Sequence, residues 1–249
     1  MTPQVHADAK LSIDFQRTLR IPDDGDDYPL PPGLGRFPLR HVDDFADNVP
    51  DSWIEHGGVM LPMYQAEALW LNFDANYVED RLVAYPFAVK IAAGKINAVT
   101  GDDWTEELGR DPQTYVVAPE QPWLDGYCVE KGFIRQFVAM PLGEGYTAEE
   151  QITGDGTFGG LQIAAYPMKR EVFERRFPIR PKQERLRTMS CDLEELVAGA
   201  APDMRQEIYD DPYDLSDWDT ANGSRCFIYL TNSLVWRAMT VSVSTASPP

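Results

Sequence analysis

The chain has 249 residues, of which 43% are hydrophobic and 25% are charged, proportions typical of folded globular proteins. Its 40 Asp and Glu residues outnumber its 22 Lys and Arg residues, and the formal net charge is −18. A surface this negative repels nucleic-acid phosphates and anionic lipid head groups, so we expect no nucleic-acid partner.

The cysteines and the apolar runs indicate a soluble protein of the cytoplasm. Cys128, Cys191 and Cys226 lie far apart and form no CxxC motif, which argues against a disulfide framework and a zinc knuckle. The first residues lack the basic segment and apolar run of a signal peptide. Apolar runs are short, as the one from Phe87 that stops at Lys90, so we predict no membrane span.

In chain order, the first predicted elements are a flexible segment, a strand and a loop. We predict that residues 1–9 are flexible, that residues 10–240 form a single globular β-rich domain, and that residues 241–249 are a flexible tail. Apolar and polar residues alternate across Leu11–Leu19, which is typical of a strand. Residues 21–35 are rich in Pro and Gly, and this composition predicts a loop.

Short strands bounded by turn residues make up most of the predicted domain. These predicted strands are 59–64, 68–73, 87–93, 96–99, 115–118, 133–140, 161–166 and 226–231. Gly94-Lys95 predicts a hairpin connection. Helices are predicted late, at 169–177 and from Asp192 onward. The pattern therefore predicts an α+β fold that is mainly β, with an antiparallel β-sandwich-like core and short helices in the C-terminal third.

Motifs for cofactors and metals do not fit their required contexts. The GxGxxG match at 154–159 precedes a predicted strand, whereas dinucleotide binding requires a following helix. The three histidines are scattered and lack ligand spacing, so we predict no cofactor and no transition-metal site. Calcium stays an alternative for the acidic loops at 23–27 and 217–223.

Carboxylates among aromatic residues leave one catalytic alternative open. Glycoside hydrolases pair two carboxyl groups, about 5–10 Å apart, around an aromatic-lined cleft. The carboxylates that could form such a pair are Glu67, Glu120, Asp125, Glu149 and Glu150. If two of them meet in a pocket, the sequence favours a carboxylate-based hydrolase acting on carbohydrate.

A predicted centre combines the segments 121–126 and 135–143. Neither side of the predicted strand 133–140 is cleanly polar, so we expect it to be buried on both faces, and Arg135 and Gln136 then need polar partners. Asp125 is the predicted partner, either in a structural ion pair or in a ligand site. The candidate binding residues are Trp123, Asp125, Arg135, Gln136, Glu67 and Trp70.

Several phrases of the sequence also carry a family resemblance. They begin at Tyr28 (YPLPPGLG), Met63 (MYQAEALWLNF), Ile96 (INAVTG), Gln121 (QPWLDG), Arg135 (RQFVAMPLG), Gly145 (GYT) and Gly159 (GGLQ). Together they resemble an uncharacterised family of bacterial and fungal proteins that are often labelled integral membrane proteins. The resemblance extends over residues 11–240 and implies no activity, cofactor or catalytic residue.

The functional hypothesis rests on the absence of a cofactor motif and of metal-ligand spacing. It also rests on the 11% aromatic residues, which suit contacts with proteins or glycans. We expect a non-catalytic protein that binds a partner or assembles with itself, most simply as a homo-oligomer. A small-molecule or glycan ligand is compatible with this hypothesis. The carbohydrate hydrolase is the alternative.

Overall fold

Strands dominate the computed structural model, which describes residues 5–22, 31–130, 133–140, 159–181 and 206–240. The strands are β1 (Leu11–Leu19), β2 (Arg40–His41), β3 (Val59–Pro62), β4 (Glu67–Ala75), β5 (Tyr77–Val78), β6 (Val83–Ala84), β7 (Phe87–Ala93), β8 (Ile96–Asn97), β9 (Val116–Ala118), β10 (Trp123–Leu124), β11 (Gly126–Glu130), β12 (Phe133–Gln136), β13 (Leu161–Pro167) and β14 (Ser224–Thr231).

Helices are short and lie mostly in the C-terminal part. The helices are α1 (Asp51–His56), α2 (Arg170–Arg176) and α3 (Ser233–Thr240), with 3-10 turns at Val42–Phe45, Leu215–Asp217 and Thr220–Asn222. The predicted fold class is thus confirmed: a mainly β protein with several antiparallel sheets and a few short helices. The helix predicted from Asp192 lies outside the described residues.

The smaller of the two principal sheets has the strand order β1-β4-β10 and is antiparallel. From Leu69 onward strand β4 alternates, because Leu69, Leu71 and Phe73 are buried whereas Trp70 and Asn72 on the opposite face are only half-buried. Side chains of alternate residues in a strand point to opposite faces. The sheet therefore turns one apolar face to the core and one mixed face outward.

The larger sheet has the order β2-β3-β14-β13-β7-β8, with β9 also paired to β7. Its neighbours are antiparallel except β3 and β14, which are parallel. The predicted hairpin at Gly94 joins β7 to β8, where Ala93 pairs with Ile96. Gly94 has a φ of +58°, a backbone conformation that glycine adopts without a steric penalty.

Both sheets contribute to one continuous hydrophobic core. Phe15, Leu69 and Leu71 of the smaller sheet share this core with Ile91 and Ile163 of the larger sheet. A second, smaller cluster of Val42, Val49 and Met60 lies under α1 and α3. The alternating apolar residues that predict the strands are thus the residues that pack the two sheets together.

Lys90 is fully buried, although it ends an apolar run in the sequence. Its ammonium nitrogen donates to the carbonyl oxygens of Thr105 at 2.6 Å and Glu107 at 2.5 Å. It also lies 4.7 Å from the centre of the Trp104 ring. These contacts tie the loop after β8 to the outer side of β7, and burial lowers the pKa of Lys90.

Candidate functional site

A pocket of about 250 Å³ opens on the outer face of the β1-β4-β10 sheet. It is lined by Thr18, Pro31, Gly33, Trp70, Asn72, Trp123, Asp125 and Gln136. Typical ligand pockets measure about 300–1,000 Å³, so this one suits a single small ring rather than an extended molecule. Its lining combines two large aromatic side chains with amides, a hydroxyl and one carboxylate.

Strand register brings the central lining residues together. Trp123 of β10 pairs with Asn72 of β4, and paired residues of antiparallel strands direct their side chains to the same face. Trp70 lies two residues before Asn72 and therefore shares this face. Four of the six predicted binding residues, Trp70, Trp123, Asp125 and Gln136, consequently line one pocket.

Several lining residues are held in place by hydrogen bonds with neighbouring chain segments. The amide of Gln136 accepts from the backbone N–H of Ile21 at 2.7 Å and donates to the carbonyl oxygen of Leu19 at 3.1 Å. The hydroxyl of Thr18 donates to the carbonyl oxygen of Pro31 at 3.2 Å. These two side chains therefore shape the pocket wall and have little hydrogen-bonding capacity left for a ligand.

Asn72 and Asp125 differ from them, because they retain hydrogen-bonding capacity. Among the described residues, no partner accepts from or donates to the side-chain amide of Asn72. Burial raises the pKa of the Asp125 carboxyl, and the side chain of Trp123 opposes part of the rise.

The backbone of β10 is fixed by a residue distant in sequence. Gln206 accepts from the backbone N–H of Asp125 at 2.7 Å and donates to the carbonyl oxygen of Trp123 at 2.8 Å. One side chain thus satisfies two backbone groups at the edge of the sheet. Sequence reasoning missed Gln206, and no signal in the sequence links it to residues 81 and 83 positions away.

The predicted pairing of Asp125 with Arg135 is wrong. Strand register places Tyr127, not Asp125, opposite Arg135, and no ion pair joins the two residues in the described part of the chain. Arg135 is exposed on β12, whose residues alternate between exposed and half-buried. The strand is not buried on both faces, so Arg135 reaches solvent and needs no buried partner.

Glu67 is also outside the pocket. Its side chain is buried, accepts from Nε of Arg17 at 3.1 Å and accepts from the backbone N–H of Tyr64 at 3.0 Å. The guanidinium of Arg17 in turn lies 5.6 Å from the centre of the Phe37 ring. This pair of a buried carboxylate and a half-buried guanidinium is satisfied within the fold, and it is a structural element of the sheet edge.

The carboxylate pair required by the hydrolase alternative does not form among the described residues. Asp125 is the one carboxylate of the described chain that lines the pocket. Glu120 does not line it; one of its oxygens accepts from the hydroxyl of Tyr213 at 2.8 Å, and the other is buried without a partner. Glu149 and Glu150 lie outside the described residues.

Asn72 was missed from the sequence, although a signal for it was present. It lies two positions after Trp70 in the same strand, so both residues had to share a face. Thr18 and the loop residues Pro31 and Gly33 were missed because only tertiary contacts bring that loop over β1. The backbone N–H of Leu34 donates to the carbonyl oxygen of Arg17 at 2.8 Å in this contact.

Acidic side chains that could have bound calcium are used within the fold. Asp217 and the backbone of Asp214 form a capping box, and Asp219 accepts from the backbone and side-chain amides of Asn222. Across the described ranges, no group of three or more His, Cys, Asp or Glu side chains could hold a metal ion. The loop at 23–27 lies outside those ranges.

Comparisons with known proteins leave the site to be interpreted from its own geometry. A scan of protein-family models, a search of curated proteins and a search of solved structures each found no match. Within the described residues, every helix is too short or too polar to cross a membrane.

Proposed function

We propose that the chain is a non-catalytic binding protein whose pocket on the β1-β4-β10 sheet holds a small saccharide. The observation that carries this proposal is the combination of Trp70 and Trp123 with the available polar groups of Asn72 and Asp125. Sugar rings stack an apolar face on aromatic side chains, while their hydroxyls require donors and acceptors at defined positions. The pocket offers both kinds of contact.

The rigidity of the lining supports binding. Trp70 and Asn72 belong to the central strand of the sheet, which pairs with β1 over nine residues. Gln206 holds the backbone on both sides of Leu124. A ligand then finds its contacts preorganised and loses little free energy in ordering the protein.

The hydrolase receives less support from the geometry. Both retaining and inverting glycosidases use two carboxyl groups on either side of the scissile bond. Asp125 is the single pocket carboxylate among the described residues, and Glu67 is engaged by Arg17. A binding site needs only one carboxylate, which can accept hydrogen bonds from two vicinal hydroxyls.

Calorimetric titration with a panel of monosaccharides and disaccharides tests the saccharide proposal. We expect at least one sugar to bind, and Trp123→Ala to weaken that binding about tenfold or more, because one side of the stacking surface is lost. Tyr77→Ala is the matched control, since Tyr77 is an exposed aromatic residue that does not line the pocket. Unchanged affinity in the Trp123 variant would place the sugar elsewhere.

We also propose that the chain acts in the cytosol as a homo-oligomer. Cys128 and Cys226 form no disulfide, which suits a reducing compartment.

Leu234 on α3 is 77% exposed, and its neighbour Val235 also reaches the surface. Light scattering should give more than one subunit for the wild type, and Leu234→Ser with Val235→Ser should reduce that number. A monomeric wild type would contradict the oligomer.

A further inference from the structure

Asp125 is a partly buried carboxylate that has no counter-charge among the residues the structure describes. Its neighbours in the pocket, including the side chain of Trp123, are neutral. Removing a carboxylate from water without a compensating charge is costly. Elsewhere in the described chain, the buried carboxylate of Glu67 is compensated by the guanidinium of Arg17.

No cation of the described chain lies over the aromatic surface beside Asp125. Elsewhere in the fold, cations lie over aromatic rings: Lys90 is 4.7 Å from the ring centre of Trp104, and Arg17 is 5.6 Å from that of Phe37. Within the described ranges, neither Trp70 nor Trp123 has such a partner. Tryptophan is the side chain that attracts cations most strongly through its ring face.

The net charge of the whole molecule also favours a cationic ligand. The net charge of −18 raises the concentration of cations near the surface and repels anions. A pocket that contains an uncompensated carboxylate and two indole rings adds a local attraction to this general field. A cationic ligand therefore gains from contacts that a neutral ligand of the same shape does not use.

We propose that the ligand of this pocket carries an organic ammonium group, which lies against the indole faces of Trp70 and Trp123 and pairs with the carboxylate of Asp125. This inference rests on the proposed saccharide site and specifies its substrate class as an amino sugar. Asn72 then remains for the hydroxyls of the ring, because its amide provides two donors and one acceptor. A quaternary ammonium compound shares the charged group but lacks the sugar hydroxyls.

Three probes separate these possibilities in calorimetric titrations at neutral pH: glucose, glucosamine and tetramethylammonium. Glucose and glucosamine differ by one hydroxyl that is replaced by an ammonium group, so their affinity ratio measures the charge preference. We expect glucosamine to bind about tenfold or more tightly than glucose. Asp125→Asn should reduce this ratio to about one, because an amide has no charge to offer.

Asp74→Asn is the matched control, because Asp74 is an exposed carboxylate on the outer face of the same strand β4 and does not line the pocket. It should leave the ratio unchanged. Equal affinity for glucose and glucosamine would overturn the ammonium proposal and leave the saccharide site intact. A ratio that Asp125→Asn leaves unchanged would also overturn it, because the preference would then have another origin.

Two further outcomes concern the saccharide proposal itself. Binding of tetramethylammonium that depends on Asp125, with no binding of either sugar, would retain the ammonium site and overturn the saccharide function. If none of the three probes binds to the wild-type chain, both proposals are overturned. Circular dichroism of each variant confirms that the compared proteins are folded.

Discussion

At the residue scale, Asp125 shows how burial changes a carboxylate that has no counter-charge among the described residues. Its pKa is raised by desolvation, so between the unfolded pKa of about 3.9 and the folded pKa the folded state binds more protons than the unfolded state. The free energy of unfolding therefore falls as the pH rises through this window. A structural ion pair with Arg135 would instead lower the folded pKa of Asp125, and the free energy of unfolding would then rise with pH.

The first prediction follows from this fall of the free energy of unfolding with rising pH. Asp125→Asn removes the titrating group, so its stability relative to the wild type should increase as the pH rises from acid to neutral. Melting temperatures of both proteins across that range measure the difference, and Asp74→Asn, at an exposed position of β4, is the control for replacing a surface carboxylate. If Asp125→Asn lowers the melting temperature at neutral pH, Asp125 takes part in a stabilising ion pair after all.

Gly58 is a second residue whose role is local and steric. Its φ is +110°, and a Cβ atom there would lie 2.2 Å from the carbonyl oxygen of Phe227 in the neighbouring strand β14. Gly160 approaches β14 from the other side, where a Cβ atom would lie 2.5 Å from the carbonyl oxygen of Ile228. Both positions combine a left-handed backbone with close contact between main chains.

The second prediction is that Gly58→Ala destabilises the protein by about 2 kcal/mol or more, because both the backbone conformation and the contact with β14 become unfavourable. Chemical denaturation measures the change. Gly33→Ala is the control, since no atom lies within 4 Å of its added Cβ. A loss in Gly58→Ala no larger than that in Gly33→Ala would show that β3 and β14 can separate without cost.

At the element scale, the segment 206–219 is joined to β9 and β10 by a polar network. Asp211 is 3% exposed and accepts from the indole N–H of Trp218 at 2.9 Å and the backbone N–H of Tyr213 at 2.8 Å. The hydroxyl of Tyr115, adjacent to β9, donates to the same carboxylate. Asp211 thus satisfies several buried donors at once.

The third prediction concerns this network. Asp211→Ala should lower the free energy of unfolding by about 3 kcal/mol, because the donors it leaves behind are buried without an acceptor. Denaturation curves provide the measurement. Asp210→Ala, at the neighbouring exposed position, should cost much less. Equal losses in the two variants would contradict a specific role of Asp211.

The fourth prediction separates the stabilising part of this segment from the part that shapes the pocket. Gln206→Ala should weaken the free energy of sugar binding by more than it lowers the free energy of unfolding. The reason is that Gln206 binds the backbone of Trp123 and Asp125 but does not line the pocket. Titration and thermal melting of the same samples give the two values. An unchanged affinity would mean that β10 keeps its position without Gln206.

At the scale of the whole molecule, the net charge of −18 should influence ligand choice through screening. The fifth prediction is that rising salt weakens the binding of glucosamine while the binding of glucose changes little, because mobile ions screen only the charged ligand. Titrations at low and high ionic strength measure the two dependences. Parallel salt effects on both sugars would argue against an electrostatic contribution.

The sequence by itself determined the longer strands, because alternation is a local property that burial of one face requires. It missed the short strands β2, β5, β6 and β10 and also β11, and the strand predicted at 133–140 ends at Gln136 as β12. Leu11–Leu19 and the predicted strands at 87–93 and 161–166 occur in the structure as β1, β7 and β13 within a residue of their predicted bounds. The hairpin at Gly94 followed from its short turn. The predicted helix at 169–177 occurs as α2.

Only the tertiary structure decided which polar side chains meet. Glu67 and Trp70 are close in sequence, yet Glu67 pairs with Arg17 whereas Trp70 lines the pocket. The separation of Asp125 from Arg135 depends on the register of β11 and β12, and a register shift of one residue changes every partner. The physical reason is that alternation fixes the face of a residue, whereas its neighbours on that face come from strands distant in sequence.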